Sequence, residues 1–300
     1  MNMPAISLAA VRGRRERTLE IAAEIEQRGF SGIYCPSMGD PVALCQAIAQ
    51  VTNEIHFGTS VQPIYFRNPV DMASTAAFIH EISGGRFWLG IGVTHGPVHE
   101  RLGITPGKPL GDIREYIAAM QAASAQHGEL PPIVLATLRQ RMAELSAEIS
   151  SGAVWANASC NDFQNSVAHL GDAASRDDFF VGNMIPTVID DDQAAGAARN
   201  RKTLAGYVSL PNYRNYWKQA GWIDEMEAAE TAIAAGDAEA LNRAMTDEWL
   251  SNATLYGSAA QVRDGVEAWF DAGCKTPILV PSSTSGGQLK ALEELFDTFA

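Results

Sequence analysis

The chain has 300 residues, of which 46% are hydrophobic and 19% charged, with a formal net charge of −13. That composition supplies a sizeable apolar core and excludes a disordered chain; the acidic balance argues against nucleic acid or anionic membrane as a partner. Four cysteines without a CxxC pair argue against a disulfide framework or a zinc site. With no apolar run approaching the roughly 18 residues of a membrane span, the chain reads as a cytoplasmic protein.

Strand-like and helical segments alternate from end to end. Residues 5–11 predict a first strand and 14–28 a helix stopped by Gly29, a residue suited to the position just past a helix end. Residues 32–37 predict a second strand and 41–51 a second helix; 55–61 and 69–82 form the third pair, with Pro69 in the opening turn. The series continues with strand 87–93 and helix 110–126, strand 133–136 and helix 138–150, then strand 154–158 and helix 162–174. Strand 179–185 precedes a helical stretch from 191 to about 250 that contains Tyr207, Tyr213, Tyr216, Trp217, Trp222 and Trp249. Helix 258–272, strand 277–281 and helix 288–299 end the chain.

Several of these eight strands are short, wholly apolar runs, as expected of a parallel sheet buried on both faces. Alternation throughout implies right-handed βαβ units. The fold expected is α/β: a (β/α)₈ TIM barrel in a single domain over 1–300, with a helical insertion after the seventh strand at about 190–250. An open doubly wound sheet is the alternative. The insertion either packs its aromatics on the barrel or on another subunit, or forms a lid over the strand ends.

In such a barrel the chemistry lies at the carboxyl ends of the strands. Those segments are rich in small, hydroxyl and amide residues and poor in carboxylates. This argues against hydrolysis by paired acids and for a site holding a large cofactor that does its own chemistry. His95 and His99, four apart after the fourth strand, lack a third ligand at a sensible spacing, so no metal is expected. One of them is a candidate proton donor, since histidine titrates near neutrality. Thr137, Leu138 and Arg139 stand where the fifth strand gives way to a helix, a place suited to a phosphate; ordinary capping by Thr137 is the plainer reading. Arg12, Arg14 and Arg15 are a basic cluster in an acidic chain, either an anion site or a solvated patch. Asn157 and Ser159 end the sixth strand and are candidates to hydrogen-bond a ring edge or a substrate.

Ser83-Gly84-Gly85-Arg86, running through Phe87–Leu89 into Gly90-Ile91-Gly92, resembles a signature of the luciferase-like oxidoreductases. Phe57–Val61, Arg67-Asn68-Pro69, Gly29-Phe30 and Pro131–Ala136 agree with that family in order and spacing, over nearly the whole chain, and resemble most its actinobacterial F420-dependent oxidoreductases. The resemblance implies coenzyme F420, or alternatively FMN, and hydride transfer to or from a small organic substrate. The alternatives are an FMN-dependent monooxygenase using O₂ and a non-catalytic flavin- or deazaflavin-binding barrel. It implies a cis peptide bond at Ser60–Val61 and cofactor contacts at Thr59, Ser60, Val61, Gly92, Val93, Thr94, Ala136, Thr137, Leu138, Arg139, Asn157 and Ser159. Gly90 and Gly92, lacking Cβ atoms, would let a flat ring approach the backbone; close packing is the other explanation. It makes Arg12, Arg14 and Arg15 candidates to meet the anionic tail of F420, a solvated patch being the other reading, and it implies a homodimer, with Phe66 and Phe78 available for contact. One departure matters: where relatives carry Asp-His after the second strand, this chain has Ser37-Met38. Ser37 can replace only the hydrogen bonding of that pair.

Overall fold

The computed structural model describes residues 2–299. The chain divides into two compact units. One comprises Ala5–Val154 with His169–Val181; the other comprises Trp155–Ala168 and the chain from Gly182 onward, with the residues up to Pro4.

The first unit opens with β1 (Ala5–Ser7), α1 (Arg15–Gln27), β2 (Ile33–Cys35), α2 (Pro41–Val51), β3 (Phe57–Thr59) and the two-residue β4 (Gln62–Pro63). It continues with α3 (Pro69–Ile82), β5 (Phe87–Gly92), α4 (Gly96–Leu102), α5 (Pro109–His127), β6 (Ile133–Ala136) and α6 (Gln140–Ile149), and reaches its boundary within β7 (Gly152–Ala156). Local chemistry sets the helix starts: Asp40 accepts the N–H groups of Val42 and Ala43 ahead of Pro41, and Asn68 accepts that of Val70 ahead of Pro69. Gly29, at φ +76°, follows the end of α1 in a left-handed state that costs glycine nothing.

The second unit contains α7 (Phe163–Ala168) and most of β8 (Phe180–Ile189), followed by five helices: α8 (Gln193–Val208), α9 (Pro211–Gln219), α10 (Ile223–Ala235), α11 (Ala238–Ala244) and α12 (Asp247–Ala253). The chain then forms β9 (Leu255–Gly257), α13 (Ala259–Asp271), β10 (Thr276–Ser282) and α14 (Gln288–Thr298). Ser258 and Gln261 cap α13 reciprocally. Tyr213, Tyr216, Trp217, Trp222 and Trp249 of the insertion are all buried, with Trp217 and Trp249 edge to face at 4.9 Å. Within this unit they are core.

The strand order is β10-β1-β2-β3-β5-β6-β7-β8-β9, with β4 against β5 and β10 also paired to β8. The registers are parallel, as in Ile33↔Phe57, Leu89↔Ile133 and Ile278↔Met184. This is the (β/α)₈ barrel, with β4 and β9 as additions to the eight. Three departures from the sequence reading have local causes. Residues 96–102 are helical because a proline is tolerated in a first turn. Residues 162–174 break into α7 and a 3₁₀ turn at Gly171–Ser175, where Gly171 takes φ +55°. Leu138 lies outside α6, whose cap is Arg139.

Candidate active site at the carboxyl ends of the strands

The first unit has two polar ends of opposite character. At the amino ends of its strands, Arg86 of the Ser-Gly-Gly-Arg motif donates to the carbonyls of Ser83, Ile55, Ala49 and Thr52 and to the Thr52 hydroxyl, at 2.8–3.3 Å. Its guanidinium also lies 5.3 Å from the centroid of the Phe57 ring. Beside it, Glu26 Oε1 accepts the backbone N–H groups of Asn53, Glu54 and Ile55 at 2.9, 2.7 and 2.8 Å. Burial pushes the Glu26 carboxyl up, but these three donors and the Arg86 charge outweigh it and hold the group below its ordinary range. The motif that carries the family resemblance is thus a structural staple.

At the carboxyl ends, polar groups are left unpaired. Thr94 Oγ1 after β5, Thr137 Oγ1 after β6 and His99 Nε2 on α4 are buried with no hydrogen-bond partner in the protein. Thr137 donates its backbone N–H to Val154 O at 2.9 Å, yet its hydroxyl caps nothing. α6 begins at Arg139 with no side-chain cap, so the capping explanation for Thr137 falls. Leu138 is half-buried and Arg139 exposed beside it. Between β3 and β4, the Ser60–Val61 peptide bond is cis, as the resemblance implies. Thr59 donates its hydroxyl to Gly90 O at 2.6 Å, and Ser60 N–H donates to Cys35 O at 2.7 Å. Thr59 and Ser60 are buried, while Val61, Val93 and Ala136 are half-buried at the same end.

The glycines of β5 are explained by packing. A Cβ on Gly90 would meet Thr59 O at 1.9 Å, and one on Gly92 would meet Ala136 Cβ at 2.7 Å and Val61 Cγ2 at 3.2 Å. Protein atoms, and not open space for a ring, occupy the positions where side chains would lie. Tyr34, Thr59, Ser60, Trp88, Gly90, Val134, Val154 and Phe180 line a cavity of only about 10 Å³, far below the roughly 300–1,000 Å³ of small-molecule sites. That interior is packed core, and a cofactor ring belongs outside it.

His95 precedes α4 and His99 lies within it, both half-buried. Burial pushes the His95 pKa down, and the nearby His99 pushes it down further. The His99 ring stands edge-on to Tyr65 at 5.2 Å. Tyr65 donates its hydroxyl to Asp112 Oδ2 at 2.5 Å, and the same oxygen accepts Gly107 N–H at 2.8 Å. Burial first, and this bond second, raise the Tyr65 pKa. Sequence reasoning missed Tyr65 and Asp112, which lie 47 positions apart with no local signal to link them. Arg67, whose Nη2 meets Asp40 Oδ2 at 2.7 Å, ties the start of α2 to that of α3. Ser37 is exposed after β2, as are Arg12 and Arg14 ahead of α1 and Arg15 at its first position.

In the second unit, Asn157 follows β7 with its side chain buried beside the Tyr207 hydroxyl. Ser159 corrects its expected role. Its side chain is fully buried; its hydroxyl donates to Asn161 Oδ1 at 2.7 Å and accepts from Trp222 Nε1 at 2.8 Å. Its only donor is consumed within the protein.

A parallel barrel with an arginine staple at its amino ends and unpaired polar groups at the carboxyl ends defines an enzyme that works at its strand tips. The comparisons name the family: residues 4–276 match the model of the luciferase-like monooxygenases, and the chain belongs to that family. It is therefore an oxidoreductase, and the non-catalytic alternative is set aside. It is 25% identical over 296 residues to a 5,10-methylenetetrahydromethanopterin reductase of Methanolobus tindarius, covering 89% of this chain and 90% of the relative. Among solved structures, the coenzyme F420-dependent tetrahydromethanopterin reductase of Methanopyrus kandleri superimposes with a TM-score of 0.74 at 18% identity, covering 99% of this chain and 98% of that one. The FMN-bound oxygenating component of 3,6-diketocamphane monooxygenase from Pseudomonas putida gives 0.63 at 16% identity, covering 99% and 95%. Proteins named as an F420-dependent reductase and as an FMN-bound monooxygenase component thus share its fold. Among the described residues, no helix is long and apolar enough to cross a membrane.

Proposed function

We propose that this protein transfers a hydride between coenzyme F420 and a small organic substrate, with the cofactor at the carboxyl ends of β3, β5 and β6. The observation that carries the reading is the start of α6: a helix N-terminus without a side-chain cap, beside the buried, unpaired Thr137 hydroxyl. Backbone N–H groups at a helix start and a hydroxyl without a partner suit a cofactor phosphate. The resident group would supply hydride chemistry; the protein binds, orients and excludes water. Thr137, Leu138 and Arg139 would hold the phosphate. Thr59, Ser60, Val61, Gly92, Val93, Thr94 and Ala136 would border the ring, and Ser37 would add a hydrogen bond from the loop after β2. His95 or His99 would hold the proton that accompanies the hydride.

FMN carries a phosphate too, so the choice of F420 rests on the exposed Arg12, Arg14 and Arg15, for which an anionic tail is the fitting partner. Titration of the purified protein with F420 and with FMN, followed by fluorescence quenching, tests the choice. F420 should bind at least roughly tenfold more tightly, and this preference should disappear when the three arginines are replaced by alanine. Tight binding of FMN alone would replace hydride transfer from F420 with oxygen chemistry on reduced flavin. We further propose a cytoplasmic homodimer, supported by the exposed Phe66, Val70 and Phe78 on and before α3; a monomeric mass in solution would remove it.

A further inference from the structure

The connection from β5 to α5 carries a helix that the core does not hold. None of the residues of α4 is fully buried, so apolar packing does not fix its place. What lies against it is the turn at Ile64–Phe66 that follows β4. This turn is gripped by α5 at two points: Tyr65 donates its hydroxyl to Asp112 Oδ2 at 2.5 Å, and Tyr116 donates its own to Arg67 O at 3.2 Å. The same Asp112 oxygen accepts the Gly107 N–H at 2.8 Å and so secures the chain that joins α4 to α5. One carboxylate thus ties the turn and the linker to a single helix. The Tyr65 ring, anchored at its hydroxyl, is the surface on which the His99 ring stands edge-on at 5.2 Å. All of these groups belong to the first unit.

What this arrangement does not satisfy is His99 itself. Its Nε2 is buried without a hydrogen-bond partner in the protein, a costly condition for an imidazole nitrogen. A half-buried ring free to turn would bring that nitrogen to water; against an anchored tyrosine it does not. Nor can Tyr65 release the bond by losing its proton, because burial first and the Asp112 carboxylate second raise its pKa. We infer that Tyr65 and Asp112 are positioning residues: through the turn after β4 they hold His99 with Nε2 withheld from the protein and presented to a polar atom of the bound flavin or deazaflavin. The inference rests on the proposed seating of the cofactor at the carboxyl ends of β3, β5 and β6, but the positioning itself has a consequence without ligand.

The test compares wild type, Tyr65→Phe, Asp112→Asn, His99→Gln and the double variant Tyr65→Phe/His99→Gln. Dissociation constants for F420 and FMN are measured by fluorescence quenching. Without ligand, the rate at which diethyl pyrocarbonate modifies His99 is followed by peptide mass spectrometry. Tyr65→Phe keeps the ring, removes one hydroxyl and opens no cavity. His99→Gln should weaken the preferred cofactor about five- to tenfold, the scale of one hydrogen bond. Tyr65→Phe should weaken it about threefold or more, and the double variant should be no weaker than His99→Gln, because a positioning effect vanishes with the group it positions. Asp112→Asn should stay within about twofold of wild type, since asparagine retains an acceptor oxygen for Tyr65 and Gly107. In the protein without ligand, His99 should be modified at least about fivefold faster in Tyr65→Phe than in wild type, as a released helix opens locally. Unchanged binding in His99→Gln, losses that multiply in the double variant, or a His99 no more reactive in Tyr65→Phe would each overturn the inference. Should the wild type take up neither cofactor, the reading of the ligand fails, and reactivity alone decides the positioning: faster modification in Tyr65→Phe supports it, and an unchanged rate removes it.

Discussion

The two ends of the first unit use the same kinds of atoms in opposite ways. At the amino ends of the strands, one guanidinium and one carboxylate close eight hydrogen bonds onto two loops, five from Arg86 and three onto Glu26 Oε1. At the carboxyl ends, two threonine hydroxyls and a histidine nitrogen are buried with none. The bonded staple makes the first end a source of stability. Deficiency makes the second a place where a ligand gains what the protein lacks.

Replacing Arg86 by alanine should break this contrast most severely. It strands four carbonyls and should cost about 2–4 kcal/mol in urea unfolding, the scale for losing several hydrogen bonds to one half-buried charged group. Cofactor affinity of the folded fraction should not change, and a loss below about 1 kcal/mol would mean the staple is ornamental.

At the other end, His95→Gln should lower kcat/KM for substrate reduction about a hundredfold if His95 is the proton donor. Burial and His99 depress the His95 pKa, so its charged form accumulates only below the usual histidine range. The wild-type rate should therefore rise as pH falls through a value under 6.5, and the variant should lose that limb. A profile unaltered by the substitution would move the role to His99 or away from α4.

Glu26→Ala should cost about 1–2 kcal/mol, in the lower range for charged hydrogen bonds because the carboxylate is partly solvated. The Glu26 pKa is depressed in the folded state. Its contribution is therefore complete above the ordinary glutamate range and disappears as pH falls through the folded value. The gap between variant and wild type should close on acidification; a gap constant with pH would point to lost packing instead.

The smallest effect on stability is expected at Thr137. Thr137→Val removes an unpaired hydroxyl, so melting should be unchanged or rise by up to about 1 kcal/mol in equivalent stability, while cofactor binding weakens about fivefold. A variant both less stable and unchanged in binding would assign Thr137 to the staple's side of the comparison.

Much of this fold can be read from residues close together in the chain. The helices at 41–51 and 69–82 and the strand at 133–136 lie where periodicity, proline and capping residues place them. β4 and β9, with two and three residues, are too short to carry a period. The insertion read as one long helical stretch because its breaks are marked only by caps, Asp237 and Thr246 among them. At the site, Thr137 and the histidines stand out because strand-end position and residue type coincide. Ser159 misled for a different reason. The groups that consume it, Tyr216 and Trp222, lie 57 and 63 positions later, and no pattern in the local sequence announces them.

The glycines at the strand tips have a consequence for how variants of this enzyme should be interpreted. An alanine at Gly58 or Gly90 would drive a methyl group to within 2.3 Å of Trp88 O or 1.9 Å of Thr59 O. These neighbours are main-chain atoms, so neither can swing aside. Such variants would come out of a screen inactive, and their closeness to the chemistry would invite a catalytic explanation. The proper control is whether they fold, because at these positions a dead enzyme reports on how near two strands must lie and carries no information about hydride transfer.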